Sequence, residues 1–276
     1  MSMKKTFTAD KNRKLSKLAL YNIEDLSFSA LRASLRKKDV KVNGKRVSDD
    51  VMVSVGDVVE IFYSPTVLEK YSIIYKNDDV LVIDKYKGFT SESVFEQLKT
   101  EFSDVRFIHR LDRNTDGVMI FALNDKSEIE LLKGFKERTF DKKYRATVVG
   151  RMNKKKDVLT AYLSKDSDAS EVKIFDREVK GSTCIKTGYE VMEELEETSV
   201  LTVTLYTGKT HQIRAHLAHI GHPIVGDGKY GDFAFNEKIG AKTQLLTAEE
   251  LTLKFSSDSP LYYLNGKKFI TKIRNY

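Results

Sequence analysis

Between residues 109 and 117 the chain reads His-Arg-Leu-Asp-Arg-Asn-Thr-Asp-Gly, which sets two carboxylates and two guanidiniums within nine residues, just ahead of an apolar run. A carboxylate beside an arginine is held ionised, because the neighbouring cation favours its charged form, and an ionised carboxylate can act as nucleophile or base. The same spacing suits an Asp-x-x-Thr loop in which Asp112 caps its own turn. A second dense segment, TGKTHQIRAHLAHIGHPIVGDGKYG, spans 207–231. Thr210 is the expected N-cap of a helix whose core stripe is Ile213, Leu217 and Ile220, with Gly221 ending it and Pro223 preventing its continuation. Arg214 falls off that stripe, free to reach a carboxylate at the helix start or a phosphate. His211, His216, His219 and His222 invite a metal reading. No i,i+4 histidine pair with a glutamate between occurs, and no acidic residue lies from Gly208 to Val225, so no metal site is expected. The third segment, KKYRATVVG at 142–150, reads as a strand. Alternation puts Tyr144, Ala146 and Val148 on one face and Lys143, Arg145 and Thr147 on the other. A tyrosine there can stack on an unstacked base or fill a half-buried core, while the basic face can hold phosphate.

These segments need a scaffold, and the hydrophobic pattern supplies one. Residues 12–64 read as a compact unit: short helices through Leu15–Ala19 and through Phe28–Leu35 behind Ser27, then strands around Val40 and Val58 with turns at Asn43-Gly44 and Gly56-Asp57. Pro65 marks a linker near 64–70. The region 70–276 mixes strands at 80–84, 117–123, 144–150, 182–193 and 199–208 with helices at 93–102 and from Lys126 to about Arg138. That order is α+β rather than a regular βαβ array.

Composition narrows the function. Of the formal net charge of +7, the whole lies in residues 1–50, which carry 13 basic and 6 acidic residues. A second basic excess at 133–156 includes Lys136, Arg138 and Lys142. Two such regions point to a polyanionic partner. The single cysteine, Cys184, excludes an internal disulfide and a cysteine-based zinc site. No apolar run approaches the ~18 residues that span a bilayer, and the basic start is followed by no apolar signal core, so the cytoplasm is the expected compartment. With no phosphate-binding glycine loop or dinucleotide fingerprint, no nucleotide cofactor is expected.

Taken together and in this order, HRLDRNTDG, KKYRATVVG and GKTHQIRAHLAHIGHPIVGDGKYG resemble the RluA-like family of RNA pseudouridine synthases over about residues 70–255. Residues 12–64 resemble the S4-like RNA-binding domain that often precedes that catalytic domain. The resemblance implies a mixed, mainly antiparallel central sheet flanked by helices and loops, preceded by the small S4-like domain. It implies Asp112 as catalytic aspartate, Tyr144 as the tyrosine beside the base and Arg214 as the partner of the aspartate. Arg110 would fill the gap left by an extruded uridine, since the chemistry cannot proceed inside a stacked helix. Lys143, Arg145, Arg36, Lys37 and Lys38 are the further expected RNA contacts. RNA is the expected partner, ribosomal RNA ahead of tRNA, with a monomeric enzyme and no cofactor or metal. Asp112 could attack the anomeric carbon, add to the pyrimidine ring or assist loss of a sugar proton. A non-catalytic RNA-binding or ribosome-assembly protein of the same fold is the alternative. Three places depart from the family pattern: Lys85 to Ser91 in place of Lys-Pro-x-Gly and His-Pro, Asp116 where a small residue is usual, and Leu245 to Ala248 without a histidine.

Overall fold

The computed structural model describes residues 3–23, 25–64, 69–166 and 171–272. The chain divides into two compact units, Met1–Glu69 and Lys70–Tyr276. Most of the expected linker, residues 65–68, lies outside the described residues.

The first unit contains β1 (Met3–Thr8), β2 (Arg13–Lys14), α1 (Leu15–Asn22), α2 (Phe28–Arg36), β3 (Val40–Val42), β4 (Lys45–Val47), β5 (Met52–Val53) and β6 (Val58–Tyr63). Ser27 caps α2 by accepting from the Ala30 N–H at 3.1 Å, as its sequence position suggests. Asn43 and Gly44 both take positive φ, the backbone a two-residue hairpin turn requires, and join β3 to β4. Leu15, Leu18, Leu31, Leu35, Val59 and Ile61 close the core between the helices and a β1-β6-β3-β4 sheet. Strand β1 extends the unit upstream of residue 12. Its basic, exposed sequence gives no hydrophobic signal beyond Phe7, and it is held by its antiparallel register with β6, Met3 opposite Tyr63.

The second unit contains β7 (Tyr71–Lys76), β8 (Val80–Lys85), α3 (Ser91–Glu101), β9 (Asp116–Ala122), α4 (Asp125–Glu137), β10 (Asp141–Val149), β11 (Lys156–Asp166) and β12 (Glu171–Phe175). There follow β13 (Thr183–Glu194), β14 (Thr198–Leu205), α5 (Gln212–His219), α6 (Phe233–Ile239), β15 (Leu246–Thr252), a 3-10 turn (Tyr262–Leu264) and β16 (Lys268–Ile270). A ten-stranded sheet runs β12-β11-β13-β14-β10-β15-β9-β8-β7, with β16 also on β15. Its pairs are antiparallel except β15 with β9, where Thr247 lies opposite Asp116 and Ala248 opposite Gly117. Gly117 is required there. Its φ is +113°, and a Cβ would fall 2.2 Å from the Ala248 carbonyl oxygen.

Strands β8 and β9 are buried at every residue, so both sheet faces are covered, which explains their apolar runs at 80–83 and 118–122. Under α5, Ile213 and Leu217 pack on Ala146, Val148, Leu201 and Val203. The helix begins later than Thr210 would have it. His211 is its N-cap residue, in a left-handed conformation (φ 53°) without a side-chain cap, and Gln212 ties the approach by accepting from Thr207 Oγ1 (2.8 Å) and the Lys209 N–H (3.2 Å).

Candidate active site

The loop 109–115 carries Asp112 from the end of α3 to the start of β9, and a polar frame immobilises it. Ser91 Oγ donates to the Leu111 carbonyl and accepts the Leu111 N–H, each at 2.9 Å. Lys85, fully buried, gives its ammonium to the carbonyls of Tyr86, Phe89 and Arg113 at 3.0, 2.8 and 3.2 Å. Burial draws that ammonium down to a pKa of about 8, against the pull of Asp116 and Asp112. The turn itself is closed by the Thr115 N–H donating to the Asp112 carbonyl at 3.1 Å. The Asp112 side chain is therefore not its cap.

That carboxylate turns instead to Arg214, whose Nη1 donates to Asp112 Oδ2 at 2.8 Å. Off the apolar stripe of α5, Arg214 is nonetheless almost wholly buried, its side chain 8% exposed. Asp227 explains how. Fully buried, it receives Nε at 2.7 Å and Nη2 at 2.8 Å in a two-pronged pair, along with the backbone N–H groups of Lys229 and Tyr230. Burial alone would raise the Asp227 carboxyl, but Arg214 and the two N–H donors bring it below its ordinary value. Burial likewise opposes the Arg214 charge, and the two aspartates more than restore it.

A third group reaches Asp112. His211 Nε2 stands 3.9 Å from the same Oδ2, while Nδ1 lies 3.0 Å from the Tyr230 hydroxyl. That hydroxyl accepts the Val172 N–H at 2.9 Å and can give its own proton to His211 Nδ1, an arrangement that places the ring proton on Nε2, toward Asp112. Burial lowers the His211 pKa, which fits a neutral ring. Both groups lie on the Oδ2 side, and Arg214 alone is within hydrogen-bond distance. Among the described residues, Oδ1 has no hydrogen-bond or ion-pair partner, and Asp112 lines a cleft of 450 Å³.

Tyr144 lines that cleft from β10, at a register shift against β15 between Lys143 and Tyr144, and burial followed by the nearby Asp112 charge pushes its phenol up. The cleft thus brings together Asp112, Tyr144 and Arg214, with Arg110 exposed at its edge and 3.4 Å from Glu92. It does not include Lys143 or Arg145. These lie on the other face of β10, 3.3 Å from Glu250 and 3.8 Å from Glu249, while Lys142 takes the cleft side. Arg36, Lys37 and Lys38 are exposed at the end of α2 in the first unit.

The histidines are all engaged. His109 Nε2 accepts the Ile120 N–H at 3.1 Å and its ring stacks on Phe135, with burial taking its pKa to about 3. His216 bonds Thr187, His219 bonds Asp176 and His222 bonds the Val149 carbonyl. Asp227, Tyr230 and Lys85 are the site residues that the motif spacing left unassigned. The GDGKYG run held the first two in plain view, and a buried aspartate behind an off-stripe arginine is the signal that finds them. The three departures from the family pattern converge here: Thr247 Oγ1 donates to Asp116 Oδ1 at 2.7 Å, and Lys87 stands 3.9 Å from the same oxygen.

Comparison with known proteins fits this geometry. The family description "RNA pseudouridylate synthase" matches residues 70–219, more than half of the chain. The ribosomal large subunit pseudouridine synthase C of Vibrio vulnificus is 31% identical over 242 residues, covering 78% of this chain and 75% of its own. An uncharacterized RNA pseudouridine synthase of Bacillus subtilis is 26% identical over 245 residues, covering 80% of each chain. Among solved structures, human RNA pseudouridylate synthase domain containing 1 superposes with a TM-score of 0.61 at 25% identity, over 77% of this chain and 94% of that one. With its carboxylate, arginine and tyrosine assembled at one cleft and these matches across the second unit, the chain belongs to the RNA pseudouridylate synthase family, enzymes that isomerise uridine in RNA to pseudouridine.

Proposed function

We propose that this enzyme acts on uridines of structured RNA, ribosomal RNA ahead of tRNA, with Asp112 as its catalytic carboxylate. The observation that carries the reading is the asymmetry at Asp112, a residue of the cleft lining: Arg214 engages Oδ2, and among the described residues Oδ1 is left without a partner. Isomerisation breaks the bond from N1 to the anomeric carbon, forms one from C5 to that carbon, and moves a proton off C5 while N1 gains one. Each route available to Asp112 uses a free, oriented, ionised oxygen. Oδ1 is that oxygen.

Arg214 orients the carboxylate and Tyr144 stacks beside the base. Arg110, exposed at the rim, occupies the stack that the extruded uridine leaves, a place suited to a planar guanidinium. The chemistry is an internal rearrangement and calls for no cofactor. The first unit, which carries the charge excess, acts as an S4-like RNA-binding domain through Arg36, Lys37 and Lys38, and Lys143 and Arg145 add contacts outside the cleft. Three relatives with ribosomal names, from Vibrio and Salmonella, support the choice of RNA. In the same reading the enzyme works as a cytoplasmic monomer.

The test is Asp112→Asn, which removes the charge and little volume. Release of tritium from RNA carrying 5-tritiated uridine should fall by roughly 10⁴-fold or more, while RNA binding is retained. Release at the wild-type rate would falsify the assignment.

A further inference from the structure

Four cations face the cleft without a counter-charge. Lys136, Arg138, Lys142 and Lys209 all line it, and Asp112, already engaged by Arg214, is the sole carboxylate of the lining. Among the described residues none of the four forms an ion pair. They also disfavour one another. Burial lowers the Lys142 ammonium, and the Arg138 charge lowers it further. This is not a general property of the basic stretch. Lys154, Lys155 and Lys156, a few residues downstream, pair with Asp157, Glu194 and Glu190 at 2.8, 2.7 and 2.9 Å.

The backbone adds an independent sign. Arg138 ends α4 in the left-handed conformation (φ 61°, ψ 34°), a position that glycine fills without strain. Strain kept at one residue of a cleft points to a use for its side chain. From β10, Lys142 reaches toward the loop that carries Lys209: a Cβ on Gly208 would stand 4.0 Å from its Nζ.

We propose that Lys136, Arg138, Lys142 and Lys209 form a phosphate grip for the ribose-phosphate backbone on either side of the extruded uridine. The inference rests on reading the cleft as the uridine site. An extruded nucleotide carries its two flanking phosphates to the mouth of its pocket, and the uracil itself is neutral. A cluster of cations that shares the cleft with Asp112 and has no carboxylate of its own is completed by a polyanion.

Two variants of the full chain test this, with a uridine-containing RNA hairpin as the probe. In K136Q/R138G/K209Q, the ratio of affinity at 50 mM salt to that at 200 mM should shrink about threefold for each phosphate no longer neutralised, or roughly 30-fold in all. K154Q/K155Q/K156Q removes as much charge from paired positions and should keep the wild-type ratio. R138G alone should bind RNA more weakly yet melt about 2–4 °C higher, since glycine relieves the strained cap. The grip is overturned if the cleft triple keeps the wild-type ratio, if the control triple loses as much, or if R138G binds as tightly as wild type. Failure of the wild-type protein to form pseudouridine would overturn the functional reading instead, and the binding comparison would still stand.

Discussion

The floor and the wall of the cleft handle charge in opposite ways. On the floor, Arg214 is shared by Asp112 and Asp227, each nitrogen of its guanidinium donates to a carboxylate, and its cation is answered on both sides. On the wall, Lys136, Arg138, Lys142 and Lys209 stand together with nothing to cancel them. A group that must present one oxygen in one orientation benefits from a saturated, dry surrounding. A surface that must attract and release a polymer benefits from charges left unsatisfied until it arrives. In the proposed reading, the reaction and the grip on RNA occupy separate places in one cleft.

The sharpest way to break the contrast is to unbalance the floor. Asp227→Ala leaves the buried Arg214 guanidinium with no partner behind it, and denaturant unfolding should show a loss of about 3–5 kcal/mol. Removing a wall charge should cost no such stability. An Asp227→Ala protein as stable as wild type would mean that the buried Arg214 does not depend on Asp227 as its partner.

Arg214→Lys keeps the charge but cannot span both aspartates. Single-turnover rates should drop by roughly 10²–10³-fold, the scale of losing one preorganised donor, with RNA affinity little changed. A defect confined to affinity would move Arg214 from the floor to the wall.

Acid should attack the floor before the wall, because the histidines around it are held neutral. His216, 1% exposed, has its pKa lowered by burial to about 4, and His109 falls to about 3. Both lie below the unfolded value of about 6.5, so their contribution is complete above pH ~6.5 and is lost as pH falls toward 4 and then 3. Each adds a slope of up to about 1.4 kcal/mol per pH unit in that window. Stability that stays level from pH 7 to 4.5 would contradict the neutral assignments.

The smallest effect belongs to Tyr230→Phe. It removes the hydroxyl partner of His211 Nδ1 and the acceptor of the Val172 N–H, a loss of about 1 kcal/mol. Nitrogen-15 shifts of His211 should report Nε2 protonated in the wild-type protein and a mixture of tautomers in the variant. Wild-type His211 protonated on Nδ1 would reverse the direction of that hydrogen-bond chain.

Much of the floor was legible in the sequence, for a physical reason. Asp112, Tyr144 and Arg214 sit in short segments where residue type and local geometry are tightly bound, and such segments survive as patterns. Asp227 was not legible, although it lies 13 residues after Arg214, because its role depends on a pairing that no helical or strand period encodes. The departures at Lys87, Asp116 and Thr247 looked like three separate changes in a line of text. In space they are one polar cluster between β9 and β15. Strands β7, β11 and β15 escaped the pattern for related reasons. Residues 71–76 and 156–166 mix charges and tyrosines with apolar residues, and β15 carries two glutamates, so their assignment came from neighbours supplied by distant parts of the chain. Lys143 and Arg145 show the converse. Their alternation was read correctly as a basic face opposite Tyr144, but the face meets Glu250 and Glu249.

The placement of β15 also governs when the enzyme can come into being. Asp112 belongs to the part of the sheet built from β7, β8 and β9, and Tyr144 to the part built from β10 to β14. Within the sheet the two are joined by β15, which is synthesised after both. Its bond from Thr247 to Asp116 closes a loop of 131 residues, the kind of distant pairing that forms late. A growing chain therefore carries Asp112, Tyr144 and Arg214 well before β15 joins the two parts of the sheet. Joining them waits for residues 246–252, so the cleft between the two parts is a late product of folding.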